Sequence, residues 1–286
     1  MPSESSNQIH FQIVGRGTPA LLFHGLGASN HDWDLLIPDL VATGYQCYAP
    51  DLPGHGDSLK PDDIQRYHVE EIYTEIETWA SRQSISEPAV VIGHSLGGYL
   101  SLLYAMRNPG KVRAMILVDP LFSHSQLPVS AGMLNRHLKW AVMAMQYAPQ
   151  WLIYALTGLD PQTSKYFSDR DRKRVAEDYK RASPNIMYIT QSVSDLTPQL
   201  KWLDQPALVL WGNKDRTLSP NTFPRLVNLL HDARGIPVDG SGHQPHLSHP
   251  KQVNHSILQF LHHLQGFPSN RQMEQLTKSQ PLNSAA

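Results

Sequence analysis

The sequence predicts an α/β domain built on a mostly parallel sheet, and three observations predict it. Short apolar, β-branched runs alternate with longer stretches of helical periodicity along the 286 residues. Several of those runs are apolar at consecutive positions, as strands covered by helices on both faces must be. A glycine-bracketed serine stands between one such run and the helical pattern that follows it.

The strand candidates are residues 9–14, 20–23, 45–49, 89–92, 114–118, 207–211 and 234–238. Residues 67–82 place Val69, Ile72, Tyr73, Ile76 and Trp79 near the i, i+3, i+4, i+7 spacing of an amphipathic helix. The pattern over Leu96–Arg107 ends before Pro109, as a helix should. Helical patterns over 219–230 and 250–264 complete the alternation. It fails once, between Val118 and Ala207. A structureless loop of that length is improbable inside a compact domain. The stretch is rich in Met, Trp, Tyr and Ala, with helical patches over 133–146 and Asp169–Arg181. Residues 9–120 and 200–265 are therefore expected to form the core, and 121–199 a mostly helical inserted subdomain.

Composition narrows the function classes. Lys and Arg number 24 against 25 Asp and Glu, a net charge of −1, which argues against a basic nucleic-acid binder. A single cysteine, Cys47, excludes an intramolecular disulfide framework and a Cys-based zinc cage. Mean hydropathy is −0.36 and no run of about 18 apolar residues occurs, so no membrane-spanning helix is expected. Residues 1–8 hold Glu4 and no apolar run, unlike a secretory signal, and a cytoplasmic protein is the simplest expectation. Residues 1–8 and 268–286 are polar and are expected to be disordered tails.

Residues 89–98 read AVVIGHSLGG, an apolar strand entering Gly93-His94-Ser95-Leu96-Gly97 and then a helix. This is the G-x-S-x-G pattern in its required strand–turn–helix context. The sharp turn lifts the Ser95 hydroxyl out at the carboxyl end of the sheet, and the glycines stand where a side chain would collide with backbone. The Leu96 N–H then lies at a helix N-terminus, where the dipole favours a developing oxyanion. The plainer reading is a turn in which Ser95 only caps a helix. His94 adjoins Ser95, but neighbours across a tight turn point apart, so it is not taken as the base.

A serine hydroxyl needs a base, and the base an orienting acid. Of 15 histidines, His243 lies in Gly240-Ser241-Gly242-His243, just after the last strand candidate. Loops at the carboxyl ends of parallel strands are where such sheets present functional groups. His246 and His249 are rivals nearer the last helix. Asp215 ends Trp211-Gly212-Asn213-Lys214-Asp215, also just beyond a strand. Its rival, Asp119, follows the preceding strand directly and is expected instead to cap the entry to the insertion. The order Ser…Asp…His is that of α/β hydrolases. Near the N-terminus, His24-Gly25-Leu26-Gly27 ends a strand in a glycine-rich turn, and the Leu26 N–H is the candidate second oxyanion donor beside Leu96.

No phosphate-binding G-x-x-x-x-G-K-[ST], and no G-x-G-x-x-G after a strand, is present, so no cofactor is expected. His243, His246 and His249 recur every three residues, but Pro245 and Pro250 break the helix that would align them, and no metal is expected. The run Asp169 to Arg174 reads as a solvated helix start.

These pieces resemble the α/β-hydrolase superfamily, in its capped esterase- and lipase-like group. The resemblance rests on His24-Gly25-Leu26-Gly27, on Pro50-Asp51-Leu52-Pro53-Gly54-His55-Gly56-Asp57-Ser58, on Gly93-His94-Ser95-Leu96-Gly97-Gly98, on Trp211 to Asp215 and on Gly242-His243, in the family's order. It implies a sheet of about eight strands, a Ser95–Asp215–His243 triad and an insertion that forms a helical lid. The family's haloalkane dehalogenases and epoxide hydrolases carry aspartate where this chain has Ser95. Its carbon–carbon hydrolases usually have Gly-Asn-Ser-Met-Gly-Gly, from which His94 and Leu96 depart. The Gly-Gly-Ser-Trp-Gly of proline iminopeptidases is absent.

The leading expectation is a serine hydrolase of a carboxylic ester. Met133, Leu134, Leu138, Trp140, Met143 and Trp151 make the insertion apolar, which favours an apolar small-molecule substrate. The alternatives are carbon–carbon cleavage of a vinylogous diketone by the same triad, and a non-enzymatic ligand-sensing protein.

Overall fold

A computed structural model describes residues 9–126, 147–149, 151–152 and 165–266 of the protein. The expected tails at 1–8 and 268–286 and the helix expected over 133–146 lie outside the described residues.

Each candidate run forms a strand. They are β1 (Phe11–Gly15), β2 (Thr18–Phe23), β3 (Tyr45–Pro50), β4 (Ala89–His94), β5 (Val112–Val118), β6 (Ala207–Gly212) and β7 (Ala233–Val238). They build one sheet in the order β1-β3-β2-β4-β5-β6-β7. The edge strand β1 runs antiparallel to β3, and every other pair is parallel. Among the described residues the sheet has seven strands, where the family resemblance implies about eight. The sequence itself offers seven runs, and all seven are used.

Among the described residues the α-helices of six residues or more are α1 (Ile37–Ala42), α2 (Val69–Ser81), α3 (Leu96–Arg107), α4 (Asp169–Arg181), α5 (Phe223–Leu229) and α6 (Pro250–Gly266). Strand alternation divides the core into two layers. Leu21, Phe23, Val91, Met115, Leu117 and Val209 pack with α2, α3 and α5 on one face. Ala20, Leu22, Val90, Ile92, Ile116, Val118, Leu208 and Leu210 pack with α1 and α6 on the other. Strands apolar at every position are thus accounted for by two buried faces. Each buried Leu, Ile or Val side chain contributes about 1.5–3 kcal/mol.

Helix α4 begins as its charge run suggests. Ser168 Oγ accepts the Asp171 N–H at 3.1 Å, and Asp169 and Asp171 occupy the first turn, where the helix dipole favours acids. Its outer face is solvated. Its inner face is tied to the core loops by Arg174–Asp34 and Arg181–Asp57 ion pairs, and His31 lies 3.3 Å from Asp178. No helix among the described residues is long and apolar enough to cross a membrane.

The parallel register brings the ends of β2, β4, β5, β6 and β7 to one edge of the sheet. From that edge come His24 to Gly27, Ser95, Asp119, Asp215 and His243.

Candidate active site

Ser95 sits at φ +51°, ψ −111°, between β4 and α3. Its N–H donates to Val118 O at 3.0 Å, and its carbonyl accepts the Leu121 N–H at 3.0 Å. A Cβ added at Gly97 would lie 1.9 Å from Phe23 O, and one at Gly93 would lie 2.2 Å from Gly97 O. The glycines therefore let the turn close against the neighbouring backbone, as the motif's spacing requires.

His243, on the loop after β7, places Nε2 2.9 Å from Ser95 Oγ and Nδ1 2.7 Å from Asp215 Oδ2. A carboxylate only accepts, so Nδ1–H donates to Asp215 and Nε2 is left to accept the Ser95 hydroxyl proton. Asp215 is itself fixed: its Oδ1 accepts the Thr217 N–H at 2.7 Å and the Leu218 N–H at 3.0 Å. Burial pushes its carboxyl upward, but His243 and those N–H donors outweigh burial and hold it below the ordinary carboxylate range. The group is thus a hydroxyl, an imidazole and a carboxylate in one line, with the charge needed to stabilise an imidazolium.

Asp119 does not cap the entry to the insertion, contrary to expectation. Its Oδ1 accepts the Gly212 N–H of β6 at 3.0 Å, because β5 lies against β6 and its terminal side chain faces that strand. It stands beside the Asp215–His243 pair, one polar atom of each of the three lying within 4.8 Å of the others. Asp119 is fully buried, and that burial, with the neighbouring Asp215 charge, pushes its carboxyl well above the ordinary range. Burial and the neighbouring Asp215 charge thus both favour the protonated form of Asp119 over the charged one.

His94 turns away from the Ser95 hydroxyl. Its Nδ1 lies 2.9 Å from Asp32 Oδ2, and its Nε2 lies 2.9 Å from the His243 carbonyl oxygen. The rival histidines face elsewhere. His246 is buried with Nε2 3.2 Å from Asp32 Oδ1, and His249 Nδ1 lies 2.9 Å from Ser248 Oγ. The three-residue repeat of these histidines therefore assembles no common centre. Asp32 was not legible in the sequence: it is 62 positions from His94, with no spacing rule to link them.

Leu96 is the first residue of α3, so its N–H belongs to a helical turn without intrahelical acceptors. Leu26 lies in a turn closed by the Ala28 N–H donating to Gly25 O at 3.2 Å. A Cβ at Gly25 would fall 2.6 Å from His94 Nδ1 and 3.5 Å from Ser95 Cβ, so this turn packs directly beside the serine. Tyr179 of α4 covers it, its ring within 2.5 Å of a Cβ added at Gly27. A cavity of about 300 Å³ adjoins the turn, lined by His31, Asp34, Arg174, Asp178 and Tyr179 among others. Asp32, His94 and His246 form a further triplet with nitrogen and oxygen atoms within 4.8 Å of one another, as do His10, Asp51 and Asp57.

The chain is similar to several known proteins. It is 27% identical to Lipase 1 of Psychrobacter immobilis, over 80% of this chain and 72% of that protein. It is 27% identical to the pimeloyl-[acyl-carrier protein] methyl ester esterase of Neisseria meningitidis, over 90% of this chain and 81% of that protein. It is 22% identical to bifunctional epoxide hydrolase 2 of Rattus norvegicus over 89% of this chain, but spans only 53% of that relative. A solved thermophilic esterase from Thermogutta terrifontis superimposes with a TM-score of 0.76 at 20% identity, covering 90% of this chain and 93% of that one. The family model described as alpha/beta hydrolase fold matches residues 18–250, a span that runs from the start of β2 to the first residue of α6, and the chain belongs to that family.

Proposed function

We propose that the chain is a serine hydrolase that cleaves a carboxylic ester of an apolar small molecule through an acyl-enzyme. The observation that carries this reading is the line from Ser95 Oγ to His243 Nε2 at 2.9 Å and from His243 Nδ1 to Asp215 at 2.7 Å. The names of the lipase and esterase relatives favour ester hydrolysis.

In the proposed reaction, Ser95 Oγ attacks the ester carbonyl carbon while His243 Nε2 takes its proton. Asp215 holds the tautomer and balances the imidazolium. The Leu26 and Leu96 N–H groups receive the oxyanion. His243 then protonates the leaving alcohol as the tetrahedral carbon–oxygen bond breaks, leaving an ester of Ser95. Water, deprotonated by His243, attacks that ester, and His243 returns the proton to Ser95 Oγ as the acyl carbon–oxygen bond breaks and the acid leaves. No cofactor is needed at any step. Residues 121–199 serve in this reading as a lid whose apolar side chains receive the acyl or alcohol part. The same reading predicts no nucleic-acid partner and no stable membrane insertion.

A short p-nitrophenyl ester and a fluorophosphonate probe test it together. Turnover of the ester, with the probe's mass added on the peptide containing Ser95, is the expected result. Absence of both would overturn the reading, and ligand binding without turnover would make the chain a sensor.

A further inference from the structure

Asp32 and His94 are buried at 5% and 2% exposure directly behind the Ser95 turn. Burial pushes the Asp32 carboxyl up, but the charges of His94 and His246 outweigh it and hold it well below the ordinary range. It is therefore a carboxylate and accepts only. Its Oδ2 accepts the Gly25 N–H at 3.2 Å and faces His94 Nδ1 at 2.9 Å. The other His94 nitrogen faces the carbonyl of His243, which also only accepts. A neutral imidazole has one N–H and can make one of these two bonds; an imidazolium makes both.

We propose that Asp32 and His94 form a second carboxylate–imidazolium pair that positions the two halves of the site. One arm, the Gly25 N–H on Asp32, fixes the turn carrying Leu26. The other arm, His94 Nε2–H on the His243 carbonyl, fixes the loop carrying the base. The close approach of Gly25 to the His94 ring, where a Cβ would lie 2.6 Å from Nδ1, holds both arms in one rigid contact. His246 completes the back of the pair, its ring 4.5 Å from that of His94 and 5.2 Å from that of Trp33, with Nε2 on the second Asp32 oxygen. Neither Asp32 nor His94 touches the reacting atoms, so both are positioning residues. A shift of about 1 Å in a catalytic group lowers turnover by about a hundredfold.

The proposal rests on the Ser95–His243 reading above, and its test is separable from that one. Asp32→Asn and His94→Gln are each measured on an ester that the wild type turns over, with melting temperature and imidazole nitrogen NMR recorded alongside. The expected result is a fall in kcat of about 10- to 100-fold with KM within about threefold, and an N–H proton on each ring nitrogen of wild-type His94, one towards Asp32 and one towards the His243 carbonyl. In Asp32→Asn the His94 ring is expected to lose one of those protons. If one variant fails to fold, the other and the wild-type NMR still decide. Two neutral His94 tautomers in the wild type, or wild-type kcat in a folded variant, would overturn the proposal. So would one equivalent of a tightly bound divalent metal that Asp32→Asn releases, since a metal would then replace the proton between the same groups. Wild type without esterase activity would instead overturn the Ser95 reading, leaving the NMR result standing.

Discussion

Ser95 and Asp119 hold left-handed backbone, φ +51° and +41°, at the ends of adjacent strands. The Ser95 N–H donates to the carbonyl of Val118, the residue before Asp119, at 3.0 Å. The Asp119 N–H in turn donates to Leu210 O at 2.8 Å. Such conformations cost on the order of 1–3 kcal/mol each and persist only where surrounding structure over-determines them. Here the parallel register of β4, β5 and β6 does so, and the strain lies beside the groups proposed to do the chemistry.

Ser95→Ala is expected to lower kcat by about 10⁴–10⁶ while leaving the melting temperature near that of the wild type. Alanine meets the same backbone penalty as serine at this φ, so the loss would be chemical. Purified variant retaining more than a few per cent of wild-type turnover would remove Ser95 from the role of nucleophile.

Asp215→Asn and Asp119→Asn are expected to separate widely. Removing the carboxylate on His243 Nδ1 is worth on the order of 10⁴ in kcat, by analogy with another triad. Asp119 accepts the Gly212 N–H and makes no hydrogen bond to His243, and burial disfavours its charged form, so asparagine, neutral and similar in shape, should change kcat only a few-fold. Steady-state rates for the two variants decide, and the reverse ranking would make Asp119 the orienting acid.

The same burial gives Asp119 a pH signature in stability. Its carboxyl titrates well above its ordinary value in the fold and near about 4 in the unfolded chain. Between those two values the folded state binds the extra proton, so stability falls as pH rises above about 4. Asp119→Asn removes that dependence. Its stability relative to the wild type should therefore be greater at neutral pH than at pH about 4, measured by urea denaturation at both. A difference that is equal at the two values would show Asp119 to be ionised in the fold.

Gly97→Ala should disable both the turn and the site. The new Cβ would meet Phe23 O at 1.9 Å, and backbone cannot yield as a flexible side chain can. A destabilisation of about 3 kcal/mol is expected, at the upper end for overpacking, with loss of fluorophosphonate labelling. Wild-type melting and labelling would contradict the close packing of β2 against α3.

A series of p-nitrophenyl esters from acetate to palmitate tests the apolar substrate. Rates are expected to peak at roughly four to eight acyl carbons in monomeric solution, as a pocket of limited size requires. A preference for acetate or for charged acyl groups would overturn the expectation of an apolar substrate. A jump in rate only above the substrate's solubility limit would favour a surface-acting lipase.

The fold and the proposed site were not equally legible. Strands such as Ala89–His94 announce themselves because two buried faces demand an unbroken apolar run. Ser95 and His243 were legible because a sharp turn and a flexible loop need glycines at fixed offsets. Asp119 was harder: its sequence neighbourhood specifies a strand end, but only the lateral order of β5 and β6 puts its side chain on Gly212. Asp32, His94 and His246 were illegible as a group, since their contact comes from three loops whose meeting depends on the finished sheet. The number of strands implied by resemblance was about eight, whereas counting the apolar runs gives the observed seven.

The order β4-β5-β6 has an evolutionary consequence. Adjacent strands are separated by about 4.8 Å, and Asp119 and Asp215 flank the same imidazole from neighbouring strand ends. In the proposed site, moving the acid's part from Asp215 to Asp119 would need the Asp119 proton removed and the imidazole turned from one carboxyl to the other, while Asp119 keeps the Gly212 N–H. The sheet, its register and the nucleophile turn would stay as they are. A lineage could thus pass through an intermediate with two interchangeable acids, and a chain that keeps both retains a path by which the loss of one can be repaired.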